Sequence, residues 1–362
     1  MTLDELRSRL GAIDRQIIDL VAERQAVSRE IGAVKRSAGR ATRDFTREKQ
    51  VIDAARDRAA QQGIPPGVAG ELMQLLIRSS LTTQERARVQ AEGAGRGQRV
   101  LVVGGAGKMG RWFAEFLDSQ GFDVTVADPA GAPPGFRHVA DWRTLGNDFQ
   151  ITVVATPIGA TNPILHEMAA RGQQGLVFDV GSIKTPLAGG LRALAARGCR
   201  VTSLHPMFGP DTQLLSGRHV LFMDAGSPQA VREARQLFAS TMAEQIEMPL
   251  DEHDRLIAYV LGLSHAVNIA FFTALAESGE TAPRLARLSS TTFDAQLGVA
   301  AKVAQESPQL YFEIQQRNPQ GLYALEELQK AMQRLTDIVR RGDEAAFVHL
   351  MEQGRDYLAH RV

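Results

Sequence analysis

Leu3, Leu6, Leu10, Ile13, Ile17 and Leu20 recur at alternating spacings of three and four, and the rhythm resumes with Val27, Ile31 and Val34. This heptad-like stripe predicts one long helix from about Leu3 to Arg36. A polar break at Gly39-Arg40-Ala41-Thr42 precedes a second helix from about Arg43 to Gln62. After Gly63-Ile64-Pro65-Pro66-Gly67 comes a third, carrying Leu72, Leu75, Leu76 and Leu81. Three helices with one very long member bury little by themselves, so residues 1–90 are expected to pair with a second copy.

Residues 91–98, Ala91-Glu92-Gly93-Ala94-Gly95-Arg96-Gly97-Gln98, read as a flexible linker by composition. The pattern then changes. Val100–Val103, Phe122–Asp128, Ile151–Ala155, Leu176–Val180, Val201–Leu204 and Val220–Met223 are short apolar runs separated by helical or turn segments. That alternation predicts a doubly wound, mostly parallel α/β sheet over residues 99–250. From about Asp251 to residue 362 the pattern is helical again. The first helix there, Glu252 to about Ser278, is apolar on most sides, so it is expected to be buried or packed on a second subunit.

One position breaks the first stripe. Arg24 occupies a slot where the next apolar residue is due. Burying an unpaired guanidinium costs several kcal/mol (order of magnitude), so it needs an anionic partner. Lys35 lies eleven residues on, close to three helical turns, and so falls on nearly the same face. Two cations converging inside a bundle suggest a pocket for a small dianion. A snorkelling arginine, or one paired with a structural carboxylate, is the alternative.

Composition narrows the setting without adding chemistry. The chain has 362 residues, enough for two or three domains, and its 41 Lys+Arg balance 41 Asp+Glu. No nucleic-acid or membrane surface is expected from that balance. Cys199 is the only cysteine, which excludes an internal disulfide and fits a reducing cytoplasm. No apolar run reads as a transmembrane helix and no signal-peptide core is evident, so a cytoplasmic protein is expected.

Gly105-Ala106-Gly107-Lys108-Met109-Gly110 is G-x-G-x-x-G, directly after a strand and opening a helix. Glycines there permit the tight turn and the close approach of a pyrophosphate, which the helix N-terminus then attracts. Asp128 ends the next strand, where a carboxylate binds ribose hydroxyls and repels a 2′-phosphate, so NAD is favoured over NADP. His205 and the segment Asp179–Lys184, which includes Ser182, end two further strands, where ligands bind in open α/β sheets. A histidine at such a place can take a proton from a substrate hydroxyl as hydride leaves. His265, on the long apolar helix, is more ambiguous and by position alone reads as a satisfied core histidine. No metal-ligand pattern is expected.

Together these features resemble the bifunctional T-protein family, a chorismate mutase fused to a prephenate dehydrogenase of tyrosine biosynthesis. The likeness covers essentially the whole length. It implies three parts: an all-α chorismate mutase domain, a Rossmann-like NAD domain and an all-α dimerisation domain. It also implies that Arg7, Arg24, Lys35, Asp44, Arg47, Glu48, Ser80 and Gln84 form the mutase site, with Arg7 reaching the partner's pocket in an intertwined homodimer. Arg7 and Arg24 are seventeen residues apart and face different sides of the helix, which fits such sharing. Ser182, His205 and His265 are implied for the dehydrogenase, acting on prephenate with NAD held by Gly105, Gly107, Lys108, Met109, Gly110 and Asp128. The resemblance also likens Ser307-Pro308-Gln309-Leu310-Tyr311 to a further family segment.

One departure stands out. The family carries an arginine for a substrate carboxylate shortly after a Leu-Ser-Ser segment, and here that place aligns with Asp294. Arg284 or Arg287 is a candidate to compensate. Alternatively the dehydrogenase takes arogenate or a 4-amino-4-deoxy analogue, or the domain is a non-catalytic NAD or tyrosine sensor.

Overall fold

The computed structural model describes residues 1–360. It divides into two compact units. The first comprises residues 1–156, 163–181 and 190–248, and the second comprises 157–162, 182–189 and the chain from Pro249 onward.

The first unit opens with α1 (Leu3–Ser37), α2 (Phe45–Gln61) and α3 (Pro66–Glu92). Thr2 and Glu5 form a reciprocal capping box on α1, Asp44 caps α2, and a proline occupies the first turn of α3. Within the chain α1 buries only Ser28 and Gly32. Leu3, Leu10 and Leu20 of the apolar stripe remain 62%, 59% and 63% exposed, so one chain does not cover it.

The glycine-rich segment that follows is not a free tether. Gly95 and Gly97 donate their N–H groups to the carbonyls of Gln120 (3.0 Å) and Gly121 (2.8 Å). A Cβ at Gly95 would stand 2.3 Å from the Phe122 nitrogen. Glycine is there for close backbone approach rather than for freedom.

The sheet is built from β1 (Arg99–Val103), β2 (Asp123–Ala127), β3 (Arg137–Val139), β4 (Ile151–Val154), β5 (Leu176–Asp179), β6 (Arg200–Pro206), β7 (His219–Asp224) and β8 (Glu244–Met248). Its order is β3-β2-β1-β4-β5-β6-β7-β8, parallel throughout except for the β6–β7 pair. The chain reverses its winding between β1 and β4, and crevices at the carboxyl ends of such strands are where ligands bind. Four intervening helices are α4 (Lys108–Ser119), α5 (Ile158–Ala170), α6 (Ala188–Ala196) and α7 (Pro228–Gln236). Phe113, Phe178, Phe222 and Phe238 are fully buried between sheet and helices.

The second unit is helical: α8 (Leu250–Ile257), α9 (Ser264–Glu277), α10 (Ala282–Arg287), α11 (Thr291–Ala304), α12 (Pro308–Arg317), α13 (Gly321–Arg341) and α14 (Glu344–Ala359). The single helix expected over 252–278 is interrupted. A wide π-type turn at Ala258–Leu263 separates α8 from α9, and Gln315 Nε2 donates to the Gly262 carbonyl at 2.8 Å. The expectation of no membrane-length run also needs correcting. Within Leu250–Glu277 one 18-residue window is apolar enough for a candidate span, and 22% of that window is buried within the chain. A helix that packs on a second subunit has the same composition.

Candidate active sites

Arg24, Lys35, Asp44, Arg47, Glu48, Ser80 and Gln84 line one cavity of about 310 Å³ among the first three helices. That lies at the small end of the range for ligand pockets, about 300–1,000 Å³. Arg7 is not among them. It stands exposed on α1, 3.6 Å from Asp4.

The misfit on the α1 stripe is answered from α3. Arg24 donates to the Leu76 carbonyl at 2.8 Å and makes a short contact with the Ser80 hydroxyl. Ser80 in turn donates to Leu76, 2.9 Å away. Partial burial lowers the Arg24 pKa from its ordinary value, and no carboxylate among the described residues neutralises it. The guanidinium is therefore held in place with its charge uncancelled.

Lys35 Nζ donates to the Thr42 carbonyl at 2.6 Å, from the loop that leads into α2. Asp44 accepts the Arg47 N–H at 2.9 Å, which fixes the turn presenting Arg47 and Glu48. Gln84 is buried. Its Nε2 donates to Ser28 Oγ at 2.9 Å, while Oε1 has no partner among the described residues. With its amide flipped, Gln84 would accept from Ser28 and present its N–H₂ to the cavity instead. Ser28 and Arg43 went unnoticed in the sequence. Ser28 lies four residues beyond Arg24, on the same helical face, which was a usable signal. Arg43 carries none.

The dinucleotide loop is shaped by exclusion. A Cβ at Gly105 would stand 2.5 Å from a Val126 methyl, and one at Gly110 would stand 2.1 Å from the Gly104 carbonyl oxygen. Gly104 itself has φ of +86°. Gly107 caps α4, and Lys108 and Met109 form its first turn, with no side chain occupying the cap. Asp128 follows β2 and accepts the N–H groups of Ala106 (3.1 Å) and Ala130 (2.9 Å). Loop, helix end and carboxylate thus fit a dinucleotide with free ribose hydroxyls. His205 lies buried near the carboxyl end of β6, opposite Leu221.

Ser182 and His265 belong to the second unit. Ser182 opens the turn leading to the fully buried Lys184. Asp254 accepts the backbone N–H groups of Lys184 and Thr185 and lies 2.7 Å from His253 Nδ1. Burial alone would raise the Asp254 carboxyl. The hydrogen bonds from His253, Thr185 and Lys184 outweigh it and hold the group below the ordinary carboxylate range. Lys184 closes the Asp179–Lys184 segment, five residues beyond the end of β5, whereas Asp254 carries no signal in the sequence.

His265 stacks on Tyr311 at 4.1 Å and 18°, burial pushes its pKa down, and its Nδ1 is buried without a partner among the described residues. Tyr311 lies in the Ser307–Tyr311 segment, so that stretch supplies a ring face to His265. Asp294 is exposed in the first turn of α11 and bonded by the Ser289 hydroxyl. Arg284 pairs with Glu280 at 3.0 Å, and Arg287 is exposed. No group of histidine, cysteine and carboxylate ligands fit for a metal occurs among the described residues.

Three family models match in series. Chorismate mutase type II covers residues 6–85, the prephenate dehydrogenase nucleotide-binding domain 136–247, and the prephenate dehydrogenase dimerization domain 249–353. The T-protein of Enterobacter agglomerans is 26% identical, over 96% of this chain and 90% of that one. The 4-amino-4-deoxyprephenate dehydrogenase of Streptomyces pristinaespiralis is 34% identical, over 72% of this chain and 91% of that one. The structure of a prephenate dehydrogenase from A. aeolicus in complex with hydroxyphenyl propionate and NAD+ superposes with a TM-score of 0.55 at 19% identity, covering 72% of this chain and 98% of that one; at that identity it supports the fold. With both sets of domains in order along its length, the chain belongs to the bifunctional T-protein family, a type II chorismate mutase continuous with an NAD-dependent prephenate dehydrogenase.

Proposed function

We propose that this chain carries out two consecutive steps, rearranging chorismate to prephenate and then oxidatively decarboxylating prephenate to 4-hydroxyphenylpyruvate. The observation that carries the reading is the convergence of Arg24, Lys35, Arg47, Glu48 and Gln84 on one small cavity. Chorismate is a flexible dianion. Its rearrangement needs the pyruvyl arm folded over the ring, with charge building on the ether oxygen as the bond breaks.

Arg24 and Arg47 clamp the carboxylates, joined by Arg7 from a second copy. That fixes the reactive geometry. Lys35 and the flipped Gln84 amide donate to the ether oxygen, so they stabilise the transition state more than the ground state. Glu48 holds the ring hydroxyl. Ser80 and Asp44 keep Arg24 and Arg47 in position. A homodimer, which the exposed α1 stripe and the dimerization-domain match both favour, completes the pocket, and the single cysteine suits a cytoplasmic setting.

In the dehydrogenase, His205 takes the proton of the 4-hydroxyl. NAD, held at the Gly105–Gly110 loop and Asp128, supplies the hydride acceptor when bound. Ser182 orients the reacting groups. His265, whose pKa burial pushes down, lines the site with its ring stacked on Tyr311.

Asp294 favours a second reading. An anion stands where the family places a cation, Arg284 is already paired, and the 34%-identical relative is a 4-amino-4-deoxyprephenate dehydrogenase. An amine beside the side-chain carboxylate, as in arogenate, would bring a positive charge that suits Asp294, whereas an amine in place of the ring hydroxyl would suit Glu48 in the mutase pocket. The deciding experiment supplies purified protein and NAD with chorismate, prephenate, arogenate and 4-amino-4-deoxyprephenate in turn. NADH from prephenate supports the first reading, NADH from the amino compound alone selects the second, and NADH from none overturns the dehydrogenase assignment.

A further inference from the structure

Arg43 belongs to none of the roles above, yet its guanidinium makes three contacts at once. Nε and Nη2 grip the two oxygens of Glu48 as a fork, at 2.9 and 3.0 Å. Nη1 donates to Ser216 Oγ at 2.7 Å, and the Phe45 ring lies 4.2 Å from Cζ. A planar fork fixed on three sides has little freedom left, and whatever it grips is fixed with it.

Ser216 is not a mutase residue. It lies between β6 and β7, in the segment that follows His205 in the dinucleotide domain. The same segment is held again beside it. Glu85, buried and next to Gln84 on α3, accepts the Leu215 N–H at 2.8 Å and the Met242 N–H at 2.5 Å. From the sheet side, Trp112 Nε1 donates to the Thr212 carbonyl at 3.0 Å. The surface that Ser216 presents to Arg43 is therefore a firm one.

We infer that Arg43 is a positioning residue that aims Glu48 into the mutase pocket, and that Ser216 of the dinucleotide domain holds Arg43 in that geometry. The inference rests on Glu48 holding the ring hydroxyl, as proposed above. It makes the mutase depend on a side chain of the other catalytic domain, outside the mutase cavity.

The test uses the full-length protein and measures mutase kcat and KM separately. Ser216→Ala should raise KM for chorismate about fivefold, the worth of one net hydrogen bond. It should leave kcat within about twofold, because a contact to an unreacting hydroxyl binds ground and transition states alike. Ser216→Thr keeps the hydroxyl and should stay within about twofold of the unmodified protein. Arg43→Lys, a point charge that cannot span Glu48 and Ser216 together, should raise KM at least as far. Ser216→Ala added to Arg43→Lys should change little more, because both act through one contact. An unchanged KM in Ser216→Ala, or effects that multiply, would overturn the inference while leaving the mutase assignment intact. Absence of mutase turnover in the unmodified protein would instead sink the function proposed for Glu48, and this inference with it.

Discussion

Asp254 accepts the backbone N–H of Lys184 at 2.8 Å, so a carboxylate from α8 pins the turn that Ser182 opens. The same carboxylate takes the Thr185 N–H at 2.7 Å, leaving that turn little room to drift.

This pair has a pH signature. The folded Asp254 carboxyl lies below its ordinary value, so the unfolded chain binds the proton more tightly. Its stabilising contribution is present above an unfolded carboxylate pKa of about 3.9 and is lost as pH falls through the lower folded value. Urea denaturation of Asp254→Asn should show lower stability at neutral pH and a flatter decline on the acid side. Matching acid limbs would show that Asp254 is not a source of acid sensitivity.

Arg24→Ala should reduce chorismate turnover by about 10²–10³-fold, the usual cost of removing one preorganised donor from a charged transition state. Prephenate oxidation should continue. Loss of chorismate absorbance is the measurement, and a rate within tenfold of the unmodified protein would refute the clamp.

His205→Asn should abolish NADH formation while mutase turnover stays normal, because the amide cannot accept the hydroxyl proton near neutral pH. An unaffected NADH rate would remove His205 from its role.

Gly110→Ala places a methyl where 2.1 Å separates it from the Gly104 oxygen. The loop must open, and NAD affinity should fall by at least about tenfold, read by fluorescence titration. Binding at normal affinity would mean the dinucleotide does not use this loop.

The first helix, the six central strands and the glycine loop were legible because each repeats a strong local rule. Apolar spacing of three and four marks α1, and continuous apolar runs mark strands buried on both faces. The edge strands β3 and β8 escaped notice. Arg137–Val139 and Glu244–Met248 are polar and largely exposed, as edge strands tend to be. Family likeness named the mutase residues, but it did not point to Ser28, Arg43 or Glu85, whose partners are distant in sequence. The linker was misread because glycine reports a flexible tether and a tight backbone contact in the same letter.

The wide turn at Ala258–Leu263 carries a lesson about counting. A helix is a dial, and one extra residue inside a turn advances it by about 100° without lengthening the helix by more than one rise. Residues of α8 and α9 are therefore read on two dials, offset from each other. Any heptad register drawn straight from Leu250 to Glu277 assigns one half of the stretch to the wrong face. The Gln315 side chain, bonded to Gly262, marks where the offset is held. A single-residue deletion here is thus the one length change with a natural outcome. It would realign the dials by rotating α8 and α9 relative to each other by about 100°.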